Sequence, residues 1–169
     1  EGRQGGGGGR FGGGGGRLPL DAGLNRFSWD LRHPGFTTFD GMIMWAAGNR
    51  GPVALPGEYT VRLTADGTTR TAPLRIGIDP RLEGQVTEAD LAARFDLAKQ
   101  VVERVNDANN AVIMVRDVKE QVDDRLEKTE DARIEALGTR VKSRMGDVEG
   151  RIYQVRNQSS QDPLNYPIM

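Results

Sequence analysis

An apolar stripe between residues 88 and 127 constrains the fold of this chain more than any other feature of its sequence. Apart from one step of seven, its members recur every three or four positions, the spacing that places side chains on one face of an α-helix. They are Leu91, Phe95, Ala98, Val102, Val105, Ala108, Val112, Val115, Val122 and Leu126. Thr87 and Asp90 have the spacing of a capping box, so the pattern predicts a helix from about Glu88 to about Glu127. Such a long helix needs a second element to cover its stripe.

A second apolar stripe provides that element. It repeats the same spacing at Ile134, Leu137, Val141, Met145, Val148, Ile152 and Val155. Polar residues 128–131 separate the two stripes, and Thr129 is a candidate N-cap for the second helix. The two stripes predict an antiparallel two-helix hairpin over residues 81–157. Two helices rarely bury stripes this broad, so we expect some of these residues to remain exposed in the monomer.

Three glycines interrupt the second helix, at Gly138, Gly146 and Gly150. Each weakens a helix by about 1 kcal/mol relative to alanine. Gly146 and Gly150 lie one turn apart on one face, which predicts a close backbone approach there.

Residues 18–80 alternate between apolar and polar side chains, as β-strands do. The candidate strands are residues 24–31, 42–45, 59–63 and 71–78. Asp66 and Gly67 favour a tight hairpin turn because both tolerate positive φ. With Trp29 as the bulkiest core candidate, the segment predicts a small immunoglobulin-like or fibronectin-like antiparallel β-sandwich. The predicted fold class is therefore α+β, a sandwich followed by a long helical hairpin.

The two ends of the chain have a different composition. Residues 1–17 consist of two glycine runs punctuated by arginines and one phenylalanine, which is typical of a flexible linker. An RNA-binding Arg/Gly segment is the alternative interpretation, but three arginines and one aromatic residue support it poorly. Residues 158–169 contain two prolines and predict an extended tail. The chain begins without an initiator methionine, and we expect it to be a portion of a longer protein.

The bulk composition excludes several classes of function. The net charge is −1, and no segment is basic enough to predict nucleic acid as a partner of the folded part. There is no cysteine, so disulfides, thiolate metal sites and thiol nucleophiles are excluded. No uninterrupted apolar run, residues 111–115 included, approaches the roughly 20 residues of a membrane span. No motif predicts a cofactor.

Six short segments together resemble a known family. They are residues 24–32, 56–63, 95–98, 109–112, 153–157 and 161–168. As a set they resemble the C-terminal region of large bacterial exported proteins with BNR or sortilin-like β-propeller repeats, often labelled glycosyl hydrolase-like. The resemblance covers roughly residues 18–169 and implies export to the periplasm or to the outside of the cell. It carries over no catalytic residue, because the propeller and its repeats are absent from this sequence.

No combination of side chains in the sequence predicts a reaction. His33 is the only histidine, and its place before Pro34 and Gly35 indicates a solvated turn residue. Asp30 and Asp40 have apolar neighbours, but each is interpreted as a hydrogen-bonding residue at a turn or strand end. The acidic residues that bracket the turn at 128–131 lack the alternating spacing and the central glycine of a calcium loop. The sequence therefore predicts no enzyme activity, metal or cofactor.

The prediction that follows is a non-catalytic structural or protein-interaction module. Its partner would be a larger exported protein or envelope assembly on the periplasmic side, or the rest of its own parent protein. The candidate interaction residues are Val112, Val115, Val141, Met145, Val148, Ile152 and Tyr166. For most of the helical positions, the internal seam of the hairpin is the favoured interpretation. Two alternatives remain: an accessory tail of a propeller-type glycosyl hydrolase, and a sandwich that binds glycan or peptide.

Overall fold

The computed structural model describes residues 23–44, 48–156 and 159. Its elements are strands β1 (Gly57–Ala65) and β2 (Thr68–Ile76), a 3-10 helix at Pro80–Leu82, and helices α1 (Glu88–Leu126) and α2 (Ala132–Ile152). These residues divide into two units. We call residues 23–35 and 50–101 the strand unit, and the remaining described residues the helical unit. The strand unit therefore includes the N-terminal part of α1, up to Val101, whereas the rest of α1 belongs to the helical unit. The predicted linker lies outside the described residues, as does the predicted tail except for Ser159.

The limits of α1 agree with the prediction to within one residue. The Thr87 hydroxyl accepts a hydrogen bond from the Asp90 N–H at 3.1 Å, and the Asp90 carboxylate accepts one from the Thr87 N–H at 2.9 Å. This reciprocal capping box satisfies two backbone donors at the start of the helix. The N-cap of α2 was predicted incorrectly: Asp131, rather than Thr129, accepts from the Arg133 N–H at 2.8 Å. The carboxylate of Asp131 lies immediately before the first helical turn, where it also meets the positive end of the helix dipole.

The helical unit is an antiparallel hairpin of α2 and the C-terminal part of α1. Three contacts establish that the helices are antiparallel, because the residue numbers of the partners on α1 decrease as those on α2 increase. They are Leu126 with Gly138, Asp123 with Lys142, and Arg116 with Glu149. The predicted helical hairpin is thus present.

Gly138 is the α2 glycine that permits close packing. A Cβ atom at this position would lie 2.7 Å from Cδ2 of Leu126, so any larger side chain would displace the leucine. A Cβ atom at Gly146 or Gly150 would meet nothing within 4 Å. The close approach predicted at Gly146 and Gly150 is therefore wrong.

The predicted immunoglobulin-like sandwich is also wrong, because the described residues form only one two-stranded antiparallel sheet. β1 and β2 pair in continuous register from Gly57 opposite Ile76 to Ala65 opposite Thr68. The turn at Asp66 and Gly67 is confirmed, with φ of 48° and 73°. Both faces of this hairpin are largely exposed, whereas a sandwich would bury one face of each sheet.

The other candidate strands fail for local reasons. Leu31 adopts a positive φ of 59°, which interrupts extended backbone at the end of the first candidate. A single isolated bridge, from Arg32 to Val53, follows it. Trp29 is exposed rather than central, and its indole N–H donates to the Arg32 carbonyl at 2.8 Å. Residues 42–44 form a loop in the helical unit, and Trp45 lies outside the described residues.

Gly51 allows two segments of the strand unit to meet at that bridge. The His33 N–H donates to the Pro52 carbonyl at 2.9 Å, and the Arg32 guanidinium donates to the Gly51 carbonyl at 3.0 Å. A Cβ atom at residue 51 would lie 2.6 Å from the carbonyl carbon of Pro34. Only glycine fits there without moving backbone, because the obstacle is a peptide group rather than a flexible side chain.

Candidate functional site

Glu149 forms a buried ion cluster between α1 and α2. Its side chain lies on α2 and is only 5% exposed. Arg116 donates to Oε1 at 2.8 Å, and Lys119 donates to Oε2 at 3.0 Å, both from α1. Burial raises the pKa of Glu149, but the hydrogen bonds and charges of the two cations outweigh it and hold the pKa below its ordinary value. The carboxylate is therefore ionised, with both oxygens engaged.

Arg116 also binds the loop formed by residues 36–44. Its Nη1 atom donates to the Asp40 carbonyl at 3.1 Å. Its guanidinium carbon lies 4.6 Å from the ring centroid of Phe39 and 5.7 Å from that of Tyr153, distances typical of cation–π contacts. The two rings meet edge to face at 5.0 Å. One side chain thus connects α1, α2 and the loop.

Two further side chains of α1 and that of Tyr153, the residue that follows α2, hold the backbone of this loop. The Tyr153 hydroxyl accepts from the Ile43 N–H at 2.7 Å and donates to the Ile43 carbonyl at 3.2 Å. Asn106 accepts from the Thr37 N–H at 2.6 Å, and Asn109 donates to the Thr37 carbonyl at 2.6 Å. At Thr37 and at Ile43, side chains therefore bind both the N–H and the carbonyl, as the backbone of a neighbouring strand would in a sheet. We call Asn106, Asn109, Arg116 and Tyr153 the loop clamp.

Tyr153→Phe should weaken the clamp without changing its shape. The substitution leaves the Ile43 N–H without its partner, and we expect a loss of about 1–2 kcal/mol in unfolding free energy. Hydrogen exchange at the Ile43 amide should become faster. Tyr59→Phe is a matched control, because it removes a similar bond, to the Leu55 carbonyl at 2.7 Å, within the strand unit. Equal exchange at Ile43 in both variants and the wild type would contradict the assignment.

The loop clamp was missed in the sequence, although a signal for it is present. Asn109 and Arg116 continue the three-and-four spacing of Val105 and Val112, so all four lie along one side of α1. Polar residues on such a line indicate a side of the helix that binds polar groups. The spacing alone does not identify the loop as the binding partner of this side of α1, because the loop lies about 70 residues away in the sequence.

The structure separates the predicted interaction residues into internal and exposed positions. Val112 and Val115 are buried within the helical unit, and Met145 and Ile152 are half-buried. Val141 and Val148 are exposed. Tyr166 lies outside the described residues. The expectation that part of the stripe remains exposed is confirmed, and the seam interpretation fits the buried valines.

The exposed residues of the α2 stripe lie along one face of the helix. They are Ile134, Leu137, Val141 and Val148, whose exposed fractions lie between 38% and 60%. At about 100° of rotation per residue, the four side chains fall within a sector about 60° wide. Ile134, Val141 and Val148 follow one another at intervals of seven residues, the repeat that long helix pairs use. We call these four residues the apolar column.

The candidate residues for reaction chemistry make contacts that stabilise local structure. The exposed His33 ring meets the edge of Phe95 at 5.1 Å. Asp30 accepts from the Arg32 N–H at 3.1 Å, the turn role expected for it. Within the described residues, no group of three or more histidine, aspartate or glutamate side chains has a geometry for a metal ion.

A depression of about 550 Å³ lies in the strand unit, beside the first residues of β1 and the last residues of β2. Glu58 and Arg75 line it and form an ion pair at 3.5 Å. Both side chains are mostly exposed, so water screens their charges. The charged side chains that line the depression are therefore solvated rather than buried.

Comparison with known proteins supplies no relative from which to infer a role. No protein-family model matches the chain, and neither a curated protein nor a solved structure matches it. The resemblance to exported propeller-repeat proteins stays a prediction. Neither α1 nor α2, the α-helices of the described residues, is apolar over a length that would cross a bilayer.

Proposed function

We propose that this chain is a non-catalytic protein-interaction module whose apolar column docks a helix of a partner protein. The partner belongs to a larger exported protein or envelope assembly, in line with the resemblance that the sequence carries. The single observation behind this proposal is the exposure of four aliphatic side chains on one face of α2.

The remainder of the helical unit supports this choice of surface. Val112 and Val115 are covered internally, and the loop clamp binds residues 36–44. The apolar column has no comparable cover among the described residues. Exposed aliphatic side chains that line up on a helix favour association, because burying them removes apolar area from water.

The seven-residue interval favours a helix as the docked element. Side chains spaced in this way can insert between those of a second helix along several turns. β-Branched residues at three of the four positions lose little rotamer freedom on packing, which lowers the cost of association. A non-catalytic role is supported by Glu149, the one buried charged side chain in the described part of the chain, since its oxygens are both paired.

Site-specific photocrosslinking in cells of the source organism tests the proposal. A photoreactive residue at Val148 should capture one partner protein reproducibly, and the Val141→Asp substitution should abolish the capture. Ser143 provides the control position, because it is exposed on another side of the same helix. Capture that is equal at both positions, or absent at Val148, would refute the proposal.

A further inference from the structure

α2 carries four arginines directly beside the apolar column. They are Arg133, Arg140, Arg144 and Arg151. At about 100° per residue, they fall within a sector about 40° wide that adjoins the sector of the apolar column. We call these four residues the arginine column. All four side chains are exposed.

The arginine column is not neutralised within the described residues. None of its guanidinium groups forms an ion pair there, whereas Arg116, Lys119 and Lys142 on the inner side of the hairpin all do. Asp147 is the one acidic residue of α2 that adjoins the column, and it pairs with none of the four. Four arginines and one aspartate leave a local charge of +3 (4 − 1).

We infer that the docked helix is amphipathic and acidic. This inference rests on the proposed function, whose apolar column supplies the packing. Carboxylates that flank the apolar face of the partner helix would lie opposite the arginine column, where arginine can bind each carboxylate with two hydrogen bonds. Complementary charge of this kind sets the orientation of the partner and excludes basic helices.

The surface chemistry favours such a helix over the two other occupants of a basic amphipathic face. A membrane-surface helix uses large aromatic and leucine side chains over a broad face, but the apolar column is narrow and mostly β-branched. A second copy of the chain would present the same arginine column from its own α2. Like charges would then meet, with no acidic column on α2 to offset them.

Two synthetic helices test the inference on the full chain. The probe is a peptide of about four heptads with leucine at a and d and glutamate at e and g, and the control carries lysine at e and g. Fluorescence anisotropy should show the acidic peptide binding at least about tenfold more tightly at low salt, with the difference shrinking as salt is added. The variant R140E/R144E should reverse the preference. The inference is refuted if the acidic peptide does not bind, binds no better than the basic one, or keeps its preference in R140E/R144E.

Two further measurements separate this inference from the proposed function. If crosslinking at Val148 succeeds while the peptide preference is absent, the result supports the docking surface and refutes an acidic partner helix. If Val141→Asp leaves both crosslinking and peptide binding unchanged, the docking surface itself is refuted.

Alternative occupants are tested in parallel. Binding to phosphatidylcholine vesicles that contain phosphatidylserine, lost in R140E/R144E, would assign the surface to membranes and overturn the inference. A dimer in sedimentation equilibrium that Val141→Asp dissolves would assign it to a second copy and overturn the inference as well. The expected result is no vesicle binding and a monomer.

Discussion

Val112→Asp should unfold the helical unit. The exposed fraction of Val112 is 0%, and it is the one large side chain in the described residues that solvent does not reach. The substitution removes the apolar contacts of valine and buries a carboxylate. The nearest cation along the helix, Arg116, is already engaged by Glu149 and the Asp40 carbonyl. We expect a loss of more than about 4 kcal/mol in unfolding free energy, a large part of the stability of a small domain. The measurement is denaturant unfolding followed by far-ultraviolet circular dichroism.

Met114→Asp provides the matched control for this prediction. Met114 lies two residues further along α1, and its side chain is 67% exposed. The same new charge at this position should change the unfolding free energy by no more than about 0.5 kcal/mol. Similar stability of the two variants would show that the core of the helical unit does not surround Val112.

Glu149→Gln should give the second largest loss, about 2–3 kcal/mol. The amide keeps the shape of the side chain but removes the charge that Arg116 and Lys119 share, and these two cations then repel each other. The loss falls below that of a fully buried pair because the two cation side chains remain about one-third exposed to water. Thermal and denaturant unfolding measure the effect.

Two variants check that the effect comes from the ion cluster. Glu135→Gln, on the exposed surface of the same helix, should cost less than about 1 kcal/mol, because this charge interacts only with the helix dipole. Adding Lys119→Met to Glu149→Gln should restore part of the stability, because one of the two unpaired cations is removed. A double variant less stable than Glu149→Gln alone would contradict the repulsion argument.

The contribution of Glu149 should depend on pH. Its pKa in the folded protein lies below the ordinary value of 4.5, so the unfolded chain takes up this proton first as the pH falls. The stabilisation is therefore fully present above about pH 4.5 and is lost as the pH falls through the folded pKa. The difference in unfolding free energy between wild type and Glu149→Gln should therefore be smaller at about pH 3 than at about pH 6. A difference that does not change over this interval would rule out the charge of Glu149 as its source.

Local signals in the sequence predicted the elements that depend on neighbouring residues. The capping box of Thr87 and Asp90 marks the start of α1, and the turn at Asp66 and Gly67 sets the register of β1 and β2. Both devices need only residues within a few positions of each other. The exposed column on α2 was predictable for a similar reason, since its width exceeds what one neighbouring helix covers.

The failures concern pairing over long distances in the sequence. Alternation in residues 24–31 indicates an extended chain but does not specify a strand to pair with, and the positive φ of Leu31 is invisible in the pattern. The ion cluster is similar, because Arg116 and Glu149 lie 33 residues apart and each resembles an ordinary surface charge of its helix. Only the spacing of Asn109 and Arg116 along α1 hinted at a polar side.

Arg116 has a consequence for how the helical unit unfolds. A single guanidinium binds both Glu149 of α2 and the Asp40 carbonyl. Separation of the helices and release of the loop therefore both break contacts of Arg116. The two events should therefore occur as one cooperative opening, with amides of the loop and of α2 exchanging hydrogen at a common free energy. A ligand that pulled the loop away from α1 would loosen the packing of the helix pair at the same time.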